Sequence, residues 1–281
     1  LYLIRRLTDA GLRRIQVTSF VHPGWVPQMA DAEAVMAGLP AAEGVVYSGL
    51  ALNVRGVERA ADAGLHIVDL SIATNEQHSR DNANMTVEEA VRQADDMIEL
   101  ARSKGMEAQL GLQTVFGYEA PGDTPLADIV ELAEHFASMG IESLSLADST
   151  GMANPRMIKD RVRAVQNVIG DVPVVLHLHD TRGLGMANVY AALEEGVTRF
   201  DTSFGGLGGC PFIPGATGNI ATEDTAYMLE AMGIATGVDI AAVGQMSLDF
   251  EQQIGGSLPG KIVSLMRQGA RLNGPGSTDD A

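Results

Sequence analysis

Cysteine is nearly absent: Cys210 is the only one in 281 residues. No internal disulfide can form, and a reducing compartment, the cytoplasm, is the expected location. Basic residues are scarce as well, 19 Lys and Arg against 36 Asp and Glu, for a formal net charge of −17. A general nucleic-acid surface needs a basic footprint and is excluded. No uninterrupted apolar run is long enough to span a bilayer, and no basic-then-apolar signal opens the chain. Small molecules or proteins remain as partners. An initiator Met is missing too. The chain opens on "LYLIRRLTDAGLRR", an amphipathic helix ending near Gly11, and we expect a segment upstream of it.

Glycine, by contrast, is plentiful, at 32 residues, and hydrophobic residues make up 46%. Seven short runs rich in aliphatic residues recur along the chain: "IQVTSFV" from 15, "VVYSGLAL" from 45, "HIVDLSIA" from 66, "EAQLGLQTVF" from 107, "SLSLADS" from 143, "PVVLHLHDT" from 173 and "RFDTSF" from 199. Such runs read as buried parallel strands. Helices with legible ends lie between them. Thr86 and Glu89 form a capping box, Thr124–Pro125 and Asn154–Pro155 are cap-plus-Pro starts, and Gly140, Gly170, Gly196 and Gly233 mark stops. Regular alternation of this kind means βαβ units with right-handed crossovers.

The length suits a single (β/α)8 TIM barrel, which needs eight strands; seven are present, and the missing one is the first. A doubly wound sheet would show a Gly-rich dinucleotide turn after its first strand, and none is visible. We therefore expect a barrel domain over residues 1–238, a helical extension over 239–270 and a disordered tail over 271–281. In such a barrel the chemistry collects at the C-terminal ends of the strands.

His177 and His179, in "LHLHDTRG", are two apart and so share one face of a strand. Imidazole suits borderline divalent ions, although two such histidines also serve simply as hydrogen-bonding partners. Asp180 should point the other way, as a helix start or a support. "GGLGGCPFIPGATGNIATED", 205–224, has more Gly and Pro than a connector needs, which permits close approach of backbone to a ligand. Cys210 lies within it, where a thiol can act as acid or nucleophile. Asn219 would cap the next helix or turn its amide oxygen to a cation, with Glu223 four residues on along the same helical face. Asp148, in "SLADSTG", can position or deprotonate a hydroxyl, or build an Asp-Ser turn. His78, Asn82 and Asn84 follow the run from 66 and read as loop polars, Asn82 being a candidate for substrate contact.

Together, "LHLHDTRGLGMAN", "FGGLGGCPFIPGATGNIATED" and "SFVHPGWVPQMAD" resemble the 3-hydroxy-3-methylglutaryl-CoA lyase family of metal-dependent TIM barrels, from about Leu3 to Gly237. The resemblance implies that His177, His179 and Asn219 hold a divalent metal, Mg or Mn. It implies that Cys210 donates a proton, that Asp148 and Glu223 lie near the substrate, and that Gln16, Asn82, Gly206 and Gly208 contact it. The metal would lower the pKa of a tertiary hydroxyl as a Lewis acid. A base, His177 or Asp148, would take that proton, and bond cleavage would give acetoacetate and an acetyl-CoA enolate that Cys210, or a water it orients, protonates. The glycine loop would close as a lid. A homodimer and a place in leucine breakdown are family implications.

Two departures stand out. The family's first strand carries an Arg-Asp pair, with Asp a fourth ligand and Arg stabilising the enolate, and neither is present here. At Gln16 the family carries Glu, and an amide can neither take a proton nor supply charge. Two alternatives follow: a 2-oxo-acid aldolase or acyl-CoA condensing synthase on the same barrel, and a degenerate barrel that binds an acyl-CoA without turnover.

Overall fold

In "QLGLQ", "SLSLAD" and "VLHLH" aliphatic residues alternate with small or polar ones, so each strand has one greasy face and one polar face. The computed structural model describes residues 1–208 and 218–270, and in it the seven runs are seven parallel strands in sequential order. A first helix, α1 (Tyr2–Asp9), precedes β1 (Arg14–Ser19). There follow α2 (Ala32–Ala37), β2 (Val46–Leu50), α3 (Val54–Asp62), β3 (Ile67–Ala73), α4 (Glu76–Ala83), α5 (Val87–Ser103), β4 (Glu107–Gln113), α6 (Leu126–Ser138) and β5 (Ser143–Asp148). The chain continues through α7 (Pro155–Gln166), β6 (Val174–Leu178), α8 (Gly185–Glu194), β7 (Arg199–Asp201), α9 (Thr222–Ala231), α10 (Ile240–Ile254) and α11 (Lys261–Arg267). This is the order of a TIM barrel without its first strand, and β1 and β7 are the sheet's two edges.

The core lies between strands and helices. Val68, Leu70, Ile72, Leu110, Leu112, Leu144, Leu146, Leu176 and Leu178 face outward and bury against Ala94, Met97, Ile129, Phe136, Ile158 and Val162 of the helices. The opposite faces, which turn into the barrel, carry Gln16, Ser48, Asp69, Ser71, Gln109, Gln113, Ser145, His177 and Asp201. Their mutual hydrogen bonds span β1 to β3, β3 to β4 and β5 to β7. Barrel interiors are usually filled by branched aliphatics. Here the interior is polar, which explains the period of two in strands that are covered on both sides.

Helix boundaries follow local chemistry. Thr86 and Glu89 make both halves of their capping box, Asn154 caps α7 with Pro155 in its first turn, and the four stop glycines all sit at positive φ. Three expectations need correction. Pro125, not Thr124, is the N-cap of α6, because the Thr124 hydroxyl is spent on the Thr114 carbonyl at 2.8 Å. The run 107–116 stops at Gln113, because Thr114 turns to φ +57°, a rare conformation for a β-branched residue. The stretch holding His78 and Asn82 is the helix α4, not a loop, capped by Asn75, whose side chain accepts from the His78 N–H.

Beyond Asp239, α10 packs on α1, α9 and the turn Phe204–Gly206, and α11 packs on α10 and α9. Among the described residues no helix is long and apolar enough to cross a membrane.

Candidate active site

Strand β6 pairs with β7 so that His177 lies beside Asp201, and both project into the barrel. The His177 Nδ1 atom is 3.4 Å from Asp201 Oδ2, which also accepts from Ser145 Oγ at 3.4 Å. A carboxylate on the far nitrogen of an imidazole fixes the ring and aims the other nitrogen. That other nitrogen, His177 Nε2, is 3.2 Å from His179 Nε2. Burial first, and His177 second, press the His179 imidazole down to about 4, so it is neutral at pH 7 with a lone pair to offer. Among the described residues its Nδ1 is buried without a hydrogen-bond partner.

Asn219 reaches the same place by a backbone route. Residues 218–222 form an extended segment laid between the ends of β6 and β7. Asn219 bridges to His179 and Ala221 bridges to Ser203, with Asp180 N–H donating to Gly218 O, and Ile220 N–H to Leu178 O. Helix α9 therefore starts only at Thr222, with Ala221 as its N-cap. The expectation that Asn219 caps α9 and shares a helical face with Glu223 is thus corrected, since two strand ends claim its backbone first. The Asn219 Nδ2 atom donates to Leu207 O at 2.8 Å, which turns Oδ1 the other way, buried and, among the described residues, unpartnered. Gly208 makes this possible: at φ +111°, a Cβ there would stand 2.4 Å from Asn219 Nδ2. Gly206, also at positive φ, lies against the Asn219 carbonyl.

The remaining expected residues are held elsewhere. Cys210 and the rest of 209–217 lie outside the described residues. The Glu223 carboxylate accepts the Gly205 N–H at 2.9 Å and the Ser247 hydroxyl at 3.0 Å. It ties the start of the glycine segment to α10, and burial pushes its pKa up. Asp148 follows Leu144 and Leu146 on the outward face of β5. Its carboxylate accepts the Met152 and Ala153 N–H groups at 2.8 and 3.1 Å, so turn-building accounts for both oxygens. Burial still pushes it up to about 6. Asp180 accepts the Gly185 N–H at 2.7 Å at the start of α8. Asn82 is exposed on α4, and among the described residues no hydrogen bond draws it toward the histidines. Gln16 lies in the barrel, donating to Asp69 Oδ2 at 2.7 Å.

Asp201 and Asp69 went unweighed in the sequence. The available signal was parity: Asp201 alternates out of phase with the outward Phe200, and Asp69 with Val68 and Leu70. Among the described residues no three His, Cys, Asp or Glu side chains gather as a metal cluster, and a side-chain amide oxygen is a donor of another type. The Asn219 oxygen is such a donor. Two nitrogens each about 2.1 Å from one ion, at a right angle, stand about 3.0 Å apart. The observed 3.2 Å between the histidines and the orphaned Asn219 oxygen fit a divalent ion.

A parallel α/β barrel with its donors at the C-terminal ends of the strands has its site where enzymes of the α/β-barrel class have theirs. Within that class the chain belongs to the HMGL-like family, whose model matches residues 1–249. It is 37% identical over 264 residues to hydroxymethylglutaryl-CoA lyase YngG of Bacillus subtilis, covering 94% of this chain and 88% of that protein. Over 238 residues it is 39% identical to the human mitochondrial hydroxymethylglutaryl-CoA lyase, covering 85% of this chain and 73% of the relative. Among solved structures, an HMG-CoA lyase from A. baumannii in complex with coenzyme A and 3-methylmalate superposes with a TM-score of 0.89. It is 36% identical, and the match covers all of this chain (100%) and 88% of the other.

Proposed function

We propose that this protein is a carbon–carbon lyase that cleaves 3-hydroxy-3-methylglutaryl-CoA, or a close 3-hydroxy-3-alkylglutaryl-CoA, to acetyl-CoA and a 3-oxo acid such as acetoacetate. The observation that carries the reading is the His177–His179 pair in a barrel of this family, with Asn219 bridged to His179 and its Oδ1 unpartnered among the described residues. Coenzyme A in the A. baumannii relative supports an acyl-CoA as ligand. Relatives carrying the lyase name favour cleavage over the aldolase, synthase and binding-only readings.

His177 and His179 through Nε2, and Asn219 through Oδ1, would hold a divalent ion, Mg or Mn. When bound, it supplies Lewis acidity to the substrate's C3 hydroxyl and carboxylate. The residues of the chain do the rest. Of the two base candidates, His177 faces the barrel but would spend Nε2 on the ion and Nδ1 on Asp201, so the Asp201 carboxylate beside it takes the hydroxyl proton. Asp148 faces outward and instead shapes the turn after β5. Breaking the C2–C3 bond leaves the electron pair on the acetyl-CoA carbon, and Cys210 returns a proton to it. Glu223 positions Gly205, and Gly206 and Gly208 lie against Asn219. A homodimer in the cytoplasm, serving leucine breakdown, completes the proposal.

The test is acetyl-CoA release from 3-hydroxy-3-methylglutaryl-CoA, with no 2-oxo acid present, in EDTA and then in Mg or Mn. Release restored by the metal supports the reading. A protein that binds the thioester but releases nothing in either metal would refute it.

A further inference from the structure

Asp69 is buried in the middle of β3 on the face that turns into the barrel. Its Oδ2 accepts two short hydrogen bonds, from Gln16 Nε2 of β1 at 2.7 Å and from Ser48 Oγ of β2 at 2.6 Å. Among the described residues its Oδ1 is buried with no hydrogen-bond partner. Arg14 of β1 makes only a long ion pair with it, Nη2 to Oδ1 at 3.7 Å, and that nitrogen has no hydrogen-bond partner among the described residues either. Asp201 of β7 adds negative potential. The outcome is asymmetric. The carboxylate is enclosed and its orientation is set by three strands, whereas Gln16 is exposed and is the end a ligand can touch.

Asp69 Oδ2 already accepts the Ser48 hydroxyl and so faces Gln16 as an acceptor even though burial raises the pKa of its carboxyl, and the Gln16 amide therefore presents its nitrogen to it. Its Oε1 then points the other way. We infer that Asp69 is a positioning residue for Gln16, holding the amide so that Oε1 is offered to the barrel as a neutral acceptor for a hydroxyl or amide hydrogen of the ligand. Without Asp69 the amide is free to flip and offers donor and acceptor alike. A neutral acceptor orients a substrate hydroxyl and leaves the proton on it, so the pair contributes to binding geometry and not to proton removal.

The kinetic arm of the test rests on the lyase reading; the spectroscopic arm does not. In a cycle of Gln16→Ala, Asp69→Ala and the double variant, Asp69→Ala should lower kcat/KM for thioester cleavage about tenfold, the effect of one misdirected hydrogen bond. In the Gln16→Ala background it should cost less than about twofold, because the effect runs through the amide. Asp69→Asn, which keeps an acceptor oxygen, should recover most of the loss. Equal losses in both backgrounds would mean a merely structural role and overturn the inference. Independently, with 15N-labelled glutamine, the Gln16 carboxamide, assigned by its loss in Gln16→Ala, should show slowed proton exchange that disappears in Asp69→Ala. A carboxamide indifferent to Asp69 overturns the inference even in an active enzyme. If the wild type releases no acetyl-CoA, the lyase reading fails by itself and the carboxamide signal decides the positioning.

Discussion

Nε2 of His177 and Nε2 of His179 stand 3.2 Å apart inside the barrel, a separation that suits a shared proton or a cation between two imidazole nitrogens. His179→Ala removes one of the pair and should weaken Mn binding by about 100-fold or more, read by calorimetry. Asp201→Asn leaves both nitrogens but loosens the carboxylate behind His177, and should weaken it by about 10- to 100-fold. Unchanged Mn affinity in His179→Ala would place the ion elsewhere.

Gly208→Ala tests the seating of Asn219. A Cβ at 2.4 Å from Nδ2, on a backbone at φ +111°, forces the Asn219 amide to move. The strain costs on the order of 1–3 kcal/mol. Activity should fall at least tenfold with a smaller loss of Tm, whereas a change in Tm alone would disconnect Asn219 from the chemistry.

Asp148 makes a pH prediction. Its carboxyl is pushed up to about 6, from 3.8, by burial, so the folded protein holds that proton more tightly than the unfolded chain does. The group's penalty is absent below about pH 4, grows as pH rises to about 6, and is constant above that. Asp148→Asn, which never ionises, should therefore gain Tm relative to wild type by several degrees between pH 4 and 7. A Tm difference that does not vary with pH would mean that the carboxyl ionises normally.

Glu223→Ala leaves the Gly205 N–H and the Ser247 hydroxyl without their shared acceptor, at a cost of about 1–3 kcal/mol. Glu223→Gln keeps an acceptor and should cost less. Both are read by urea unfolding, and near-wild-type stability in the alanine variant would show that α10 is not held through this carboxylate.

Much of the architecture was legible because strand and helix signals are local. Seven aliphatic runs became seven strands. The Thr86–Glu89 box, the Asn154–Pro155 start and the stop glycines fell where expected, since capping is settled within four residues. The misreadings had competitors from further away. Thr124 was drawn off by the Thr114 carbonyl, ten residues back, and Asn219 by the ends of β6 and β7.

The sequence by itself determined the order of elements, the shared face of His177 and His179, and the family. Which face became the polar interior was decided only in three dimensions, because alternation states that a strand has two faces and not what each will meet. Pairing of β6 with β7 brought Asp201 beside His177, the packing of β1 to β3 set Gln16 against Asp69 across 53 residues, and the outward face of β5 carried Asp148 into its own turn. Hydrogen bonds between distant strands form only once the backbone has placed their donors and acceptors within about 3 Å, and the tertiary fold alone supplies that placement.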